Sequence, residues 1–140
     1  VWGHLENGKI IKAESPVITA QCFRVACLDG HMAAVFMKFQ DGSKPSIEQI
    51  KADWAAFRGP AQELELPSAP KQFLHYFEED NRPQTKLDRN LEHGMAISLG
   101  RLREDSHKFV GLTPNTLRGA AGGAVLLAEL LCAKGYIEAK

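Results

Sequence analysis

Two short stretches carry the residue types best suited to chemistry. The first is Gln21-Cys22-Phe23-Arg24-Val25-Ala26-Cys27-Leu28-Asp29-Gly30-His31. Arginine can grip a carboxylate with two parallel hydrogen bonds, and histidine can carry a proton near neutral pH. The runs on either side of Asp29-Gly30, from Val17 to Leu28 and from Met32 to Phe39, are rich in apolar and β-branched residues, which predicts two strands joined by a hairpin turn. In that hairpin Leu28 stands opposite His31. Leu28, Ala26 and Arg24 then share a face with His31, Ala33 and Val35. Ala26 and Ala33 would leave space between Arg24 and His31 for a small anionic substrate. Spacing alone leaves open that both are rim residues of a sheet.

The second stretch is Asn115-Thr116-Leu117-Arg118-Gly119-Ala120-Ala121-Gly122-Gly123-Ala124. A helix starting here offers free N–H groups and a positive dipole end, which suit phosphates, amides or thiolates. Three glycines in so short a stretch of helix cost roughly 1 kcal/mol each against alanine, which implies a steric reason. On spacing alone, close packing of helix on sheet is the favoured reason.

The remaining candidates are weaker. His75 and His93 have no partner suggested by spacing, and Glu78-Glu79-Asp80 reads as a solvated carboxylate run. No G-x-S-x-G occurs, and Ser68 lies between prolines. Cys22, Cys27 and Cys132 are odd in number and have mostly apolar neighbours, which predicts free, reduced, core-packed thiols in a cytoplasmic protein. No Cys/His cluster has zinc-ligand spacing, so no metal is expected.

The elements that must position these residues follow from pattern. Gln40 to Pro45 is a loop. Ser46 with Gln49 three residues on is a capping-box pair. Ile47, Ile50, Trp54 and Phe57 then mark a helix that Gly59-Pro60 stops. Leu66 to Pro70 is irregular and Phe73 to Phe77 a short strand. Glu78 to Asn90 is a polar interface or functional loop. Met95 to Leu102 and Lys108 to Leu112 are strands. A last helix begins at Thr113 or Asn115 with Pro114 in its first turn and closes at Gly135. The order is ββα, three strands, then α. This predicts an α+β domain with a mixed, largely antiparallel sheet and helices packed on one face.

The 140 residues suffice for one domain with a real core and are too few for two. Seventeen basic residues balance seventeen acidic ones. Zero net charge argues against a nucleic-acid or anionic-membrane partner, because both reward a basic excess. No apolar run approaches the ~20 residues of a membrane span, and no signal peptide opens the chain.

A series of motifs resembles the aspartate-β-semialdehyde dehydrogenase family. Gln21-Cys22-Phe23-Arg24-Val25 and Leu28-Asp29-Gly30-His31 look like its active-site strand and turn, the latter in the form of the archaeal and fungal branch. The likeness continues through Leu66-Pro67-Ser68-Ala69-Pro70-Lys71-Gln72, Arg82-Pro83-Gln84, Leu87-Asp88-Arg89-Asn90 and Gly94-Met95-Ala96. It closes with Asn115 to Ala124, Ala128-Glu129-Leu130-Leu131 and Ala133-Lys134-Gly135-Tyr136. These blocks come in family order. They fit this family better than the sibling N-acetylglutamyl-phosphate reductases.

The resemblance implies an NADP-dependent oxidoreductase of lysine, methionine and threonine biosynthesis. The family reduces β-aspartyl phosphate to aspartate semialdehyde and releases phosphate, through a cysteine nucleophile and hydride from the cofactor. Carried over by position, His31 is the general acid/base and Arg24 binds the substrate carboxylate. Asn115 and Thr116 contact the cofactor near its nicotinamide end. The family's G-x-G-x-x-G segment and Asn-Cys nucleophile have no counterpart here; Cys22 and Cys27 are not at the nucleophile position. With Val1 as first residue, residues 1–140 are therefore expected to be one catalytic and dimerisation domain, without the dinucleotide-binding domain and inactive alone. A homodimer or tetramer is implied, with an isologous interface on the open sheet face involving Phe36, Met95, Ile97 and Leu99. The alternative is a non-enzymatic oligomerisation or interaction module that reuses the fold.

Overall fold

The computed structural model describes residues 3–105 and 107–138. Its centre is a four-stranded sheet of β3 (His31–Phe36), β4 (Leu74–Phe77), β5 (Ile97–Arg103) and β6 (Lys108–Thr113), in the order β3-β6-β5-β4. β3 and β5 both run antiparallel to β6, and β4 runs parallel to β5. The expected mixed, largely antiparallel α+β sheet is the one observed. A separate hairpin joins β1 (His4–Glu6) to β2 (Lys9–Ile11) and is absent from the expected order. Asn7 and Gly8 at its turn have φ of 49° and 74°, the left-handed pair that a tight two-residue hairpin requires.

The ladder fixes which residues share a face. Tyr76, Leu99, Gly111 and Ala33 stand in one row. Helix α1 (Ile47–Ala56) lies on that face. Its Trp54 ring packs 5.8 Å from Tyr76 and 5.0 Å from Phe109, and Ile50 is buried beneath it. Ser46 caps α1 by accepting the Gln49 N–H at 3.1 Å. The Gln49 side chain bonds to Asp53, so only half of the capping box forms. Gly59 and Pro60 open the single-turn helix α2 (Pro60–Glu63).

On the opposite face Leu112, 1 % exposed, and Ser98 are fully covered. Part of the cover is the polar segment Glu78 to Asn90, which is more ordered than the expected loop. It contains the single-turn helix α3 (Thr85–Asp88), and the Arg82 guanidinium sits 4.4 Å from the Phe77 ring centre. A Cβ added at Gly100 would fall 2.5 Å from the Arg82 carbonyl oxygen. Helix α4 (Gly122–Ala133) buries Leu126 and ends where Gly135, at φ 74°, returns its N–H to the Cys132 carbonyl.

Several expectations are corrected. Val17 to Leu28 forms no strand, so Asp29-Gly30 closes no hairpin. The Cys27 N–H folds back on the Val25 carbonyl at 2.9 Å, and β3 takes its hydrogen-bond partner from β6 instead. The apolar residues of this run, among them Val17, Ile18, Phe23, Val25 and Leu28, are exposed. Cys22, Cys27 and Cys132 are free but exposed rather than core-packed. Met95 and Leu99, expected at a subunit interface, are only 7 % and 4 % exposed within one chain, with Met95 Sδ against Gly122 at the start of α4; Phe36 is 71 % exposed. The last helix becomes α-helical only at Gly122, after a wider π-type turn at Leu117–Ala121.

Candidate functional site

The turn Asp29-Gly30 delivers His31 to the first position of β3, opposite Thr113, the last residue of β6. Two residues beyond Thr113, Asn115 reaches back. Its Oδ1 accepts the Gly30 N–H at 2.9 Å, across 85 positions of sequence. A backbone N–H only donates, so this contact fixes the orientation of the carboxamide and leaves the Asn115 NH2 group as its free donor. His31 and Asn115, drawn from the two candidate stretches, thus meet at one end of the sheet.

The same turn is engaged by a second element. Arg89, at the end of α3, places Nη1 3.3 Å from Asp29 Oδ2. The Cys27 thiol donates to the Asp29 carbonyl at 3.0 Å. A Cβ added at Gly30 would lie 3.0 Å from Leu112 Cδ1 and 3.3 Å from Thr85 Cγ2, and its φ of 92° suits glycine alone. Arg89 and Thr85 have no role in the sequence-based site. The visible signal was the charge pattern of Leu87-Asp88-Arg89-Asn90, but its partner lies 60 residues away.

Arg24 is exposed, in the unpaired segment, and no described residue hydrogen-bonds or ion-pairs with it. The hairpin that would set it on the His31 face does not form. Thr116 is exposed beside Asn115, and its carbonyl accepts the Ala121 N–H at 3.2 Å. With Gly119 N–H on the Pro114 carbonyl, this makes the i→i−5 winding seen at many functional turns. The glycines are not explained by helix-on-sheet packing as expected: an added Cβ at Gly122 would meet Met95 Sδ and one at Gly123 the Arg118 carbonyl of its own winding, each at 2.5 Å, while at Gly119 the nearest atom is 3.5 Å away.

A second feature is a cleft of about 330 Å³ between α2 and α4, lined by Phe57, Pro60, Phe73, Arg118, Leu126 and Leu130 among others. The Arg118 guanidinium lies 4.4 Å from the Phe73 ring centre, and burial pushes its pKa down. The cleft shares no lining residue with the His31–Asn115 end. His75 bonds to the Gln72 carbonyl at 3.1 Å, a structural contact. Among the described residues no three His, Cys, Asp or Glu side chains gather as a metal site, and no helix is long and apolar enough to cross a membrane.

Comparison with known proteins agrees with the motif series. The family model described as semialdehyde dehydrogenase, dimerisation domain, matches residues 1–114. The aspartate-semialdehyde dehydrogenase of Saccharomyces cerevisiae is 42% identical over 132 residues, which are 92% of this chain and 36% of that protein. That of Methanothermobacter thermautotrophicus is 41% identical over 134 residues, covering 92% and 38%. The solved aspartate semialdehyde dehydrogenase of Candida albicans with NADP superposes with a TM-score of 0.74 at 39% identity, over 81% of this chain and 33% of that one. The chain therefore spans about a third of the length of the curated relatives it matches. Fungal and archaeal relatives at this identity, together with a family model over most of the chain, establish that it belongs to the semialdehyde dehydrogenase family and carries its dimerisation domain.

Proposed function

We propose that this chain is the catalytic and dimerisation part of an NADP-dependent aspartate-semialdehyde dehydrogenase. The reaction is β-aspartyl phosphate plus NADPH and a proton giving aspartate semialdehyde, NADP and phosphate. The observation that carries the reading is the meeting of His31 and Asn115 at one end of the sheet of a chain so similar to enzymes of that name. When bound, NADPH would supply the hydride, leaving NADP. The Asn115 carboxamide keeps its NH2 free to donate to the nicotinamide end, and exposed Thr116 stands next to it. His31 moves the proton, and Arg24 holds the substrate carboxylate from the unpaired segment that precedes the turn.

The chain exposes 10686 Å². A compact protein of this mass exposes roughly 7,000 Å². Faces bare here are covered in the working assembly, which we take to be a homodimer or tetramer of the parent. Three exposed free thiols suit a reducing cytoplasm.

The test is turnover by the purified full-length parent. NADPH oxidation that requires β-aspartyl phosphate and releases phosphate is expected. Stable, folded parent with no such turnover would favour the non-enzymatic module.

A further inference from the structure

The backbone that delivers His31 has no ladder partner before it, since residues 12–30 form no strand. Side chains hold it instead. Asn115 Oδ1 takes the Gly30 N–H at 2.9 Å, and Arg89 takes the Asp29 carboxylate at 3.3 Å. The two come from different elements, one from the turn after β6 and the other from the end of α3. Between them the backbone at Gly30 is pressed against Leu112 and Thr85 so closely that a Cβ barely fits.

We propose that Asn115 and Arg89 are positioning residues for His31, and that Asn115 joins this task to cofactor contact. The proposal rests on the acid/base reading of His31 given above. A proton is passed only across about 2.6–3.2 Å, and a misplacement of ~1 Å can cost about a hundredfold in rate. A turn braced at two successive residues immediately before His31 meets that demand. The Asn115 oxygen already accepts the Gly30 N–H, which fixes the carboxamide and leaves its NH2 group as the donor for a ligand. Placing His31 and meeting the cofactor therefore depend on one side chain. Arg89 holds the turn through Asp29 and serves its placement alone.

Steady-state kinetics of the full-length enzyme separate the parts. Arg89→Met is expected to lower kcat roughly tenfold with the KM for NADPH unchanged, and Arg89→Lys to recover most of the loss. Asp29→Asn breaks the same ion pair from its other end and should repeat the pattern if Arg89→Met folds poorly. Asn115→Ala is expected to lower kcat and raise the KM for NADPH together. Wild-type kcat in both Arg89→Met and Asp29→Asn overturns the role of Arg89. A change in cofactor KM alone in Asn115→Ala overturns the joint role of Asn115. His31→Ala is the control: if it keeps near wild-type turnover, the acid/base reading fails rather than the bracing.

Discussion

The Asp88 carboxylate, 3 % exposed, is closed on by the Arg82 guanidinium through both of its oxygens. Arg82 Nε donates to Oδ2 at 2.9 Å, and the Gln84 N–H donates to the same oxygen at 2.7 Å. This pair pins the polar segment over the sheet face that contains Leu112 and Ser98. It also holds α3 in the place from which Arg89 reaches Asp29.

Asp88→Asn should destabilise the folded protein by about 2–3 kcal/mol, because it leaves a half-buried guanidinium without its counter-charge. Burial pushes the Asp88 pKa up, but the Arg82 and Gln84 hydrogen bonds outweigh it, so the folded value lies below the ordinary one. A depressed carboxylate contributes stability above its unfolded pKa of about 3.9 and loses it as pH falls through the folded value. Thermal unfolding of the parent should therefore weaken more steeply below about pH 4 in wild type than in Asp88→Asn. Parallel acid limbs would show that the pair does not contribute.

His31→Ala should lower kcat of the full-length enzyme by ~10²–10⁴-fold with little change in substrate KM. Arg24→Lys should instead raise the KM for β-aspartyl phosphate and lower kcat/KM, because an ammonium cannot reproduce a two-pronged carboxylate grip. Unchanged kcat/KM in Arg24→Lys would remove Arg24 from the substrate site.

Gly30→Ala is expected to cost about 1–3 kcal/mol and to reduce turnover as well. The φ of 92° strains any L side chain, and the new methyl meets fully buried Leu112, which has nowhere to move. Gly100→Ala should destabilise with a smaller loss of turnover per folded molecule, since its Cβ would strike the Arg82 carbonyl, which reaches the His31 turn only indirectly through α3 and Arg89. Equal turnover losses per folded molecule in the two variants would count against a special role for the turn.

Phe36→Glu should weaken self-association of the parent. Phe36 lies at the end of edge strand β3, with exposed Met32 on the same face, and burying such a side chain is worth roughly 1.5–3 kcal/mol. Sedimentation over a range of concentrations should show a larger monomer fraction than wild type. An unchanged dimer would place the interface elsewhere.

A polypeptide of these 140 residues alone should show no NADPH-dependent turnover, because it holds neither a nucleotide-binding glycine motif nor the nucleophile of its family. Turnover above background from the pure chain would require a different chemistry.

Local chemistry was legible in the residues themselves. Ser46 had to cap a helix, because the hydroxyl of a serine at that position accepts an orphan N–H. Gly135 had to end one, and the strands at β4, β5 and β6 followed from short apolar runs between breakers. The motif series from Gln21 to Tyr136 carried the family. Asn7-Gly8 held a hairpin signal of the same local kind.

Partnership was decided only by the tertiary structure. The apolar run Val17 to Leu28 has the composition of a strand, but a strand exists only where another backbone satisfies its N–H and C=O groups, and β3 found that partner in β6. Met95 and Leu99 look like interface residues in a strand pattern, yet both are buried within one chain. The bonds from Asn115 to Gly30 and from Arg89 to Asp29 join residues 85 and 60 positions apart. Periodicity cannot express such contacts, because they arise from the way β6 returns beside β3 and the polar segment folds over the sheet. The sequence by itself therefore determined the elements and the residue types able to act; the packing of the chain determined which of them meet.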